Sequence, residues 1–180
     1  MLHRIFKLAC LAPLPLLLSQ CQVETPKPKA PTPYAASARL AYTPMALAAM
    51  IRNKDTIVVN AYYYGDPTPQ ALPKADRLGR LALSDERYGW SNDARRVHFD
   101  GNVDTSLLPE IRGEPQLLID ADSLDAEGGD DDLIHCKTWI GTVKMAQAKP
   151  PLIACELDTG DKQSADDIVA ADDAGSSSSE

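Results

Sequence analysis

Thr56-Ile57-Val58-Val59-Asn60-Ala61-Tyr62-Tyr63-Tyr64 reads as a β-strand. Its β-branched and aromatic side chains are the types that pack best on a pleated, half-buried surface. Strand side chains alternate between two faces, so Ile57, Val59, Ala61 and Tyr63 share one face and Val58, Asn60, Tyr62 and Tyr64 the other. Gly65-Asp66-Pro67-Thr68-Pro69 is expected to end the strand, because neither proline can donate to a ladder. Tyr62, Tyr63 and Tyr64 form a candidate binding platform of apolar rings with polar tips. Their plainer role is to close over the edge of a core.

On the N-terminal side, Thr43-Pro44-Met45-Ala46-Leu47-Ala48-Ala49-Met50-Ile51 reads as a short helix. Thr43 is its N-cap, and Pro44 sits in the first turn, where a missing N–H costs nothing. Met45, Ala48 and Ala49 are the expected packing stripe, and Asn53-Lys54-Asp55 interrupts the pattern. On the C-terminal side, Gly79 is expected to turn residues 75–83 into a strand. Arg95-Arg96-Val97-His98-Phe99-Asp100 alternates with Val97 and Phe99 inward and Arg96 and His98 outward. Residues 106–111 suggest a single helical turn, and Arg112-Gly113-Glu114 leads into a strand over residues 115–121. Residues 133–140 and 152–157 read as two more strands. Short strands separated by turn signals predict a mostly β fold, a small antiparallel β-sandwich with one or two short helices and one disulfide, over residues 34–157.

The sequence changes character at both ends. Alternate prolines in residues 22–33 favour polyproline II, a semi-rigid spacer. Residues 158–180 hold six aspartates and a run of four serines, with too few apolar groups to offset the entropy of ordering, so a disordered acidic tail is expected. Residues 1–20 begin with the cations Arg4 and Lys7 and continue into an apolar run broken by Pro13 and Pro15. That run is shorter than the ~20 residues a spanning helix needs, and it has the layout of an export signal.

Leu18-Ser19-Gln20-Cys21 resembles the lipobox of bacterial lipoproteins, from which Gln20 departs, since a small residue is usual before the cysteine. The resemblance implies diacylglycerol on Cys21, a lipidated tether over residues 21–33, and attachment to the membrane through acyl chains. Gln22, in place of an aspartate after the cysteine, implies the periplasmic face of the outer membrane. Without acylation, cleavage would release a soluble periplasmic protein.

Of the four cysteines, Cys10 leaves with the signal and Cys21 takes the lipid. Alternation puts Cys136 on the face of Ile134 and Ile140, and Cys155 on that of Ile153 and Leu157. Two thiols on apolar faces in an oxidising compartment predict a Cys136–Cys155 disulfide.

Loss of Arg4 and Lys7 with the signal takes the formal charge from −8 to −10, which disfavours nucleic acid as a partner. The remaining histidines, His98 and His135, stand in no catalytic motif, and neither a phosphate loop nor a HExxH helix is present, so no catalytic residue and no cofactor is predicted. Asp100-Gly101-Asn102-Val103-Asp104 starts like a calcium loop but has Thr105 at the glycine position and Ile111 at the final acidic one. The acidic residues between 120 and 132 are expected to form a mobile hairpin loop, and no metal site is predicted. The expectation is a lipid-anchored, non-catalytic module that binds another envelope or periplasmic protein, as an inhibitor or immunity protein or as a secretion-apparatus component. A structural or glycan- or lipid-acting periplasmic protein is the alternative.

Overall fold

A computed structural model describes residues 31–91, 93–125, 130–131, 133–158, 165–166 and 168–169. Among them the chain forms β1 (Ala36–Tyr42), α1 (Pro44–Asn53), β2 (Thr56–Pro67), β3 (Leu81–Trp90), β4 (Arg96–Phe99) and β5 (Ile111–Leu124). β6 (Asp130–Asp131), β7 (Ile134–Cys136), β8 (Trp139–Thr142), α2 (Val143–Ala148) and β9 (Leu152–Leu157) follow. One sheet has the order β4-β1-β9-β7. The other runs β3-β2-β5, with β6 and β8 both paired to β5. The mostly β class, the two sheets, the short helices and the disulfide are as expected. All strand pairs are antiparallel except β1 with β9, whose parallel register runs from Arg39 opposite Leu152 to Tyr42 opposite Cys155.

Every long strand sends alternate side chains into one core. Ala36, Ala38 and Leu40, Ile57, Val59, Ala61 and Tyr63, Val97 and Phe99, Leu117, Ile119 and Ala121, and Ile153 and Cys155 all meet there. The face assignment for β2 therefore holds along its whole apolar stretch. Arg96 and His98 are exposed, as alternation required.

Four expectations are corrected. β2 does not stop at Gly65; its register shifts between Tyr64 and Asp66, and Pro67 still pairs with Ile111. The bulge bends the strand, and Pro67 sits at its last position, where a missing donor interrupts little. α1 begins as predicted, with Thr43 Oγ accepting the Ala46 N–H, but buries Ala46, Ala49 and Met50, leaving Met45 and Ala48 exposed. Residues 45, 48 and 49 and residues 46, 49 and 50 fit helical spacing equally well, and a run rich in alanine offers no contrast in hydrophobicity to choose between them. Residues 133–140 are not one strand. The chain leaves the four-stranded sheet after Cys136 and enters the other at Trp139, which turns Ile140 away from the cysteines and leaves it 60% exposed. In the acidic segment, Asp120 and Asp122 belong to β5, which pairs with β6, so a hairpin is present but starts later than expected. Residues 126–129 and 132 fall outside the described set.

Candidate functional site

The outer face of the five-stranded sheet carries Tyr62 and Tyr64. β2 and β3 pair Tyr62 with Asp85 and Asn60 with Arg87, while β2 and β5 pair Tyr62 with Leu118 and Asn60 with Asp120. β5 and β8 pair Leu118 with Ile140. An apolar row of Tyr62, Leu118 and Ile140 thus crosses three adjacent strands, with Asp85 at one end and the polar row of Arg87, Asn60 and Asp120 beside it.

Tyr62 and Tyr64, two residues apart on one strand, stack with ring centroids 5.5 Å apart and planes 16° from parallel. The Arg80 guanidinium carbon lies 4.9 Å from the Tyr62 centroid and 5.1 Å from that of Tyr64, within cation–π range of both. Asp76 holds this arginine. Its carboxylate accepts the Arg80 Nε–H at 3.0 Å, the Arg80 and Leu78 backbone N–H groups at 2.8 Å each, and the Tyr62 hydroxyl at 3.3 Å. These donors, the Arg80 backbone N–H foremost, hold the Asp76 carboxyl below its ordinary value of 3.8. Burial, and then the Asp76 charge, push the Tyr62 phenol up.

Beside the stack lies an open cleft of about 380 Å³ lined by Asn60, Tyr62, Arg80, Asp85, Arg87, Leu118 and Asp120. Asn60 Nδ2 donates to Asp120 at 2.8 Å and to Asp122 at 3.3 Å, which fixes the amide across the strand pair. The cleft therefore offers guanidinium donors, carboxylate acceptors and an apolar strip side by side, a composition suited to recognition.

Tyr63 points the other way. It is fully buried in the core, and burial, followed by the neighbouring Glu86 charge, raises its phenol. The three-tyrosine platform is thereby corrected to two tyrosines, because consecutive strand residues cannot share a face. The residues that complete the surface, Asp76, Arg80, Arg87 and Leu118, gave no motif in the sequence. The available signal was an aspartate opening a turn, Asp76-Arg77-Leu78-Gly79-Arg80, immediately before a strand that pairs with the tyrosines.

Cys136 and Cys155 stand opposite each other on β7 and β9, with Cα atoms 4.0 Å apart, and form the predicted disulfide. Cys21 lies outside the described residues. His98, with Nδ1 3.2 Å from Ser37 Oγ, and His135 sit on β4 and β7 at opposite edges of the four-stranded sheet. Among the described residues no group of three or more His, Cys, Asp or Glu is placed to hold a metal ion, and no helix is long and apolar enough to cross a membrane. The residues of the failed calcium loop serve the fold instead. Asp100 and Asn102 give backbone N–H groups to Glu86, and Asp104 caps the 3-10 turn over Thr105–Glu110.

No protein-family model, curated protein or solved structure matches this chain.

Proposed function

We propose that this chain is an exported, lipid-anchored envelope protein whose β-sandwich is a non-catalytic binding module for another envelope protein. Its contact surface is the outer face of the five-stranded sheet. The observation that carries this reading is the braced stack of Tyr62, Tyr64, Arg80 and Asp76 beside the cleft. Side chains already held by one another lose little freedom when a partner arrives, and Tyr and Arg are the types that dominate binding energy at interfaces. An apolar row set among polar neighbours has the anatomy of an interface. The disulfide supports an oxidising compartment, which agrees with the signal and lipobox resemblance of residues 1–21. The formal charge of −8 favours a basic partner, in keeping with an inhibitor or immunity protein or a secretion-apparatus component.

The test is photo-cross-linking in intact cells from a probe at Arg87, an exposed position on the cleft. One envelope protein in stoichiometric amount is expected, lost in an Arg80→Ala, Tyr62→Ala variant whose thermal unfolding matches the parent. Absence of any adduct, together with turnover of envelope glycan or lipid by the purified protein, would sink the proposal in favour of the enzymatic alternative.

A further inference from the structure

β3 is an edge of the five-stranded sheet. It pairs with β2 on one side, and among the described residues no strand lies on the other. An edge of this kind presents unpaired backbone groups, a template for a further strand. Its start is closed, because the Asp104 N–H donates to the Leu83 carbonyl at 2.9 Å. Residues 84–90 are the open stretch. Asp85 and Arg87 stand two residues apart on the outer face, opposite Tyr62 and Asn60 of β2, and both are exposed. Neither forms an ion pair or a side-chain hydrogen bond among the described residues.

We propose that this edge is a homodimer interface, where β3 of a second copy of the chain adds antiparallel to β3 about a two-fold axis at Glu86. The axis sets Asp85 opposite the second copy's Arg87, and Arg87 opposite its Asp85, giving two opposite-charge pairs on one face. Moving the axis by one residue would set Arg87 opposite Arg87 or Asp85 opposite Asp85, and like charges directly opposite repel. The charges therefore select a single register. Glu86 faces its own copy across the axis, but its carboxylate is buried and held by the Asp100 and Asn102 N–H groups and the Tyr88 hydroxyl. The central pair thus meets through backbone alone. Addition in the plane of the sheet leaves Tyr62, Arg80 and Leu118 open and makes Asp85 and Arg87 the seam between two clefts. Pairing over residues 84–88 makes a small interface, so the association is weak and depends on concentration.

Sedimentation equilibrium of the protein carrying Cys21→Ser, in which acyl chains play no part, measures the pairing. The weight-average mass is expected to climb from one chain towards two, and no further, as protein rises from ~10 µM to ~1 mM. Asp85→Arg or Arg87→Asp alone sets like charges opposite each other at both pairs and should lower the association constant by about tenfold or more. The two changes together exchange the partners and should restore it. In the parent, amide exchange over residues 84–88 should slow as concentration rises. Pairing at this edge is refuted if the parent's mass stays at one chain or climbs past two, or if that exchange ignores concentration. It is equally refuted if the single reversals associate like the parent, or if the double reversal, unfolding at the parent's temperature, stays a monomer.

Discussion

Glu86 anchors the turn that follows β4. Its carboxylate, 7% exposed, accepts the backbone N–H groups of Asp100 at 2.9 Å and Asn102 at 2.7 Å and the Tyr88 hydroxyl at 3.2 Å. Gly101 sits between the two N–H donors at φ +67°, and a Cβ there would come within 2.2 Å of the Tyr34 carbonyl carbon. Glu86→Ala leaves those donors without their acceptor and should cost about 2–3 kcal/mol, against about 1 kcal/mol for Glu86→Gln, which keeps one acceptor oxygen. Urea unfolding of the three proteins measures the difference. Asp76 gives a pH prediction. Its folded value is depressed, so its contribution is present above the ordinary 3.8 and is lost as pH falls through the lower folded value. Tyr62 and Arg80 resonances should therefore stay unchanged from pH 7 down to about 4 and move only below it, and Asp76→Asn should abolish that step in an NMR titration. Burial pushes the Tyr42 phenol up to about 12, partly offset by the Arg95 guanidinium 5.1 Å from its ring. Stability tied to its neutral form is complete below pH 10 and falls as pH rises from 10 towards 12, by roughly 1.4 kcal/mol per unit in the limit. Alkaline unfolding of Tyr42→Phe should lack this loss. The role of Glu86 was invisible in the sequence, because it acts on a backbone group 14 positions away, whereas Asp76, acting on groups 2 and 4 positions on, left the turn signal before β3.

At the scale of elements, β7 has three residues and would be a marginal edge strand by itself. The Cys136–Cys155 bond fastens it to β9, closing a 19-residue separation. Replacing both cysteines by alanine should cost about 3 kcal/mol in the chain-entropy view; a denaturation midpoint equal to the parent's under reducing and oxidising conditions would refute it. β4 was legible because it has one face in the core and one outside, and β2 and β9 because they are continuous runs of apolar and β-branched residues, buried in part on both faces, at Val58 and Ala154 as well. β1 was not, since Ala36, Ala38 and Leu40 present a small apolar face that resembles loop composition. The break between β7 and β8 was also hidden, because Lys137-Thr138 continues the alternation while the chain changes sheet. The outer-face site was half legible: two tyrosines were in view, and the arginine and aspartate that brace them depended on pairing between β2 and β3.

For the whole molecule, the two sheets enclose one apolar core, the formal charge is −8, and the outer face of the five-stranded sheet carries the stack of Tyr62, Tyr64 and Arg80. Residues 1–21 carry the proposed export signal and lipobox, which can be tested independently of the fold. Cys21→Ser should move the protein from the membrane fraction to the soluble periplasm and abolish acyl labelling, with no change in the unfolding of the sandwich; persistence with the membrane would refute acylation. The parallel pairing of β1 with β9 has a mechanical meaning. The first and last strands lie side by side and point the same way, over the register Arg39–Leu152 to Tyr42–Cys155. Pulling the two ends of the domain apart loads those hydrogen bonds in shear, so they must fail together and not one after another. Single-molecule extension should accordingly show one high rupture force at the start of the trace, and a module held by its N-terminus could bear tension from a bound partner without unravelling.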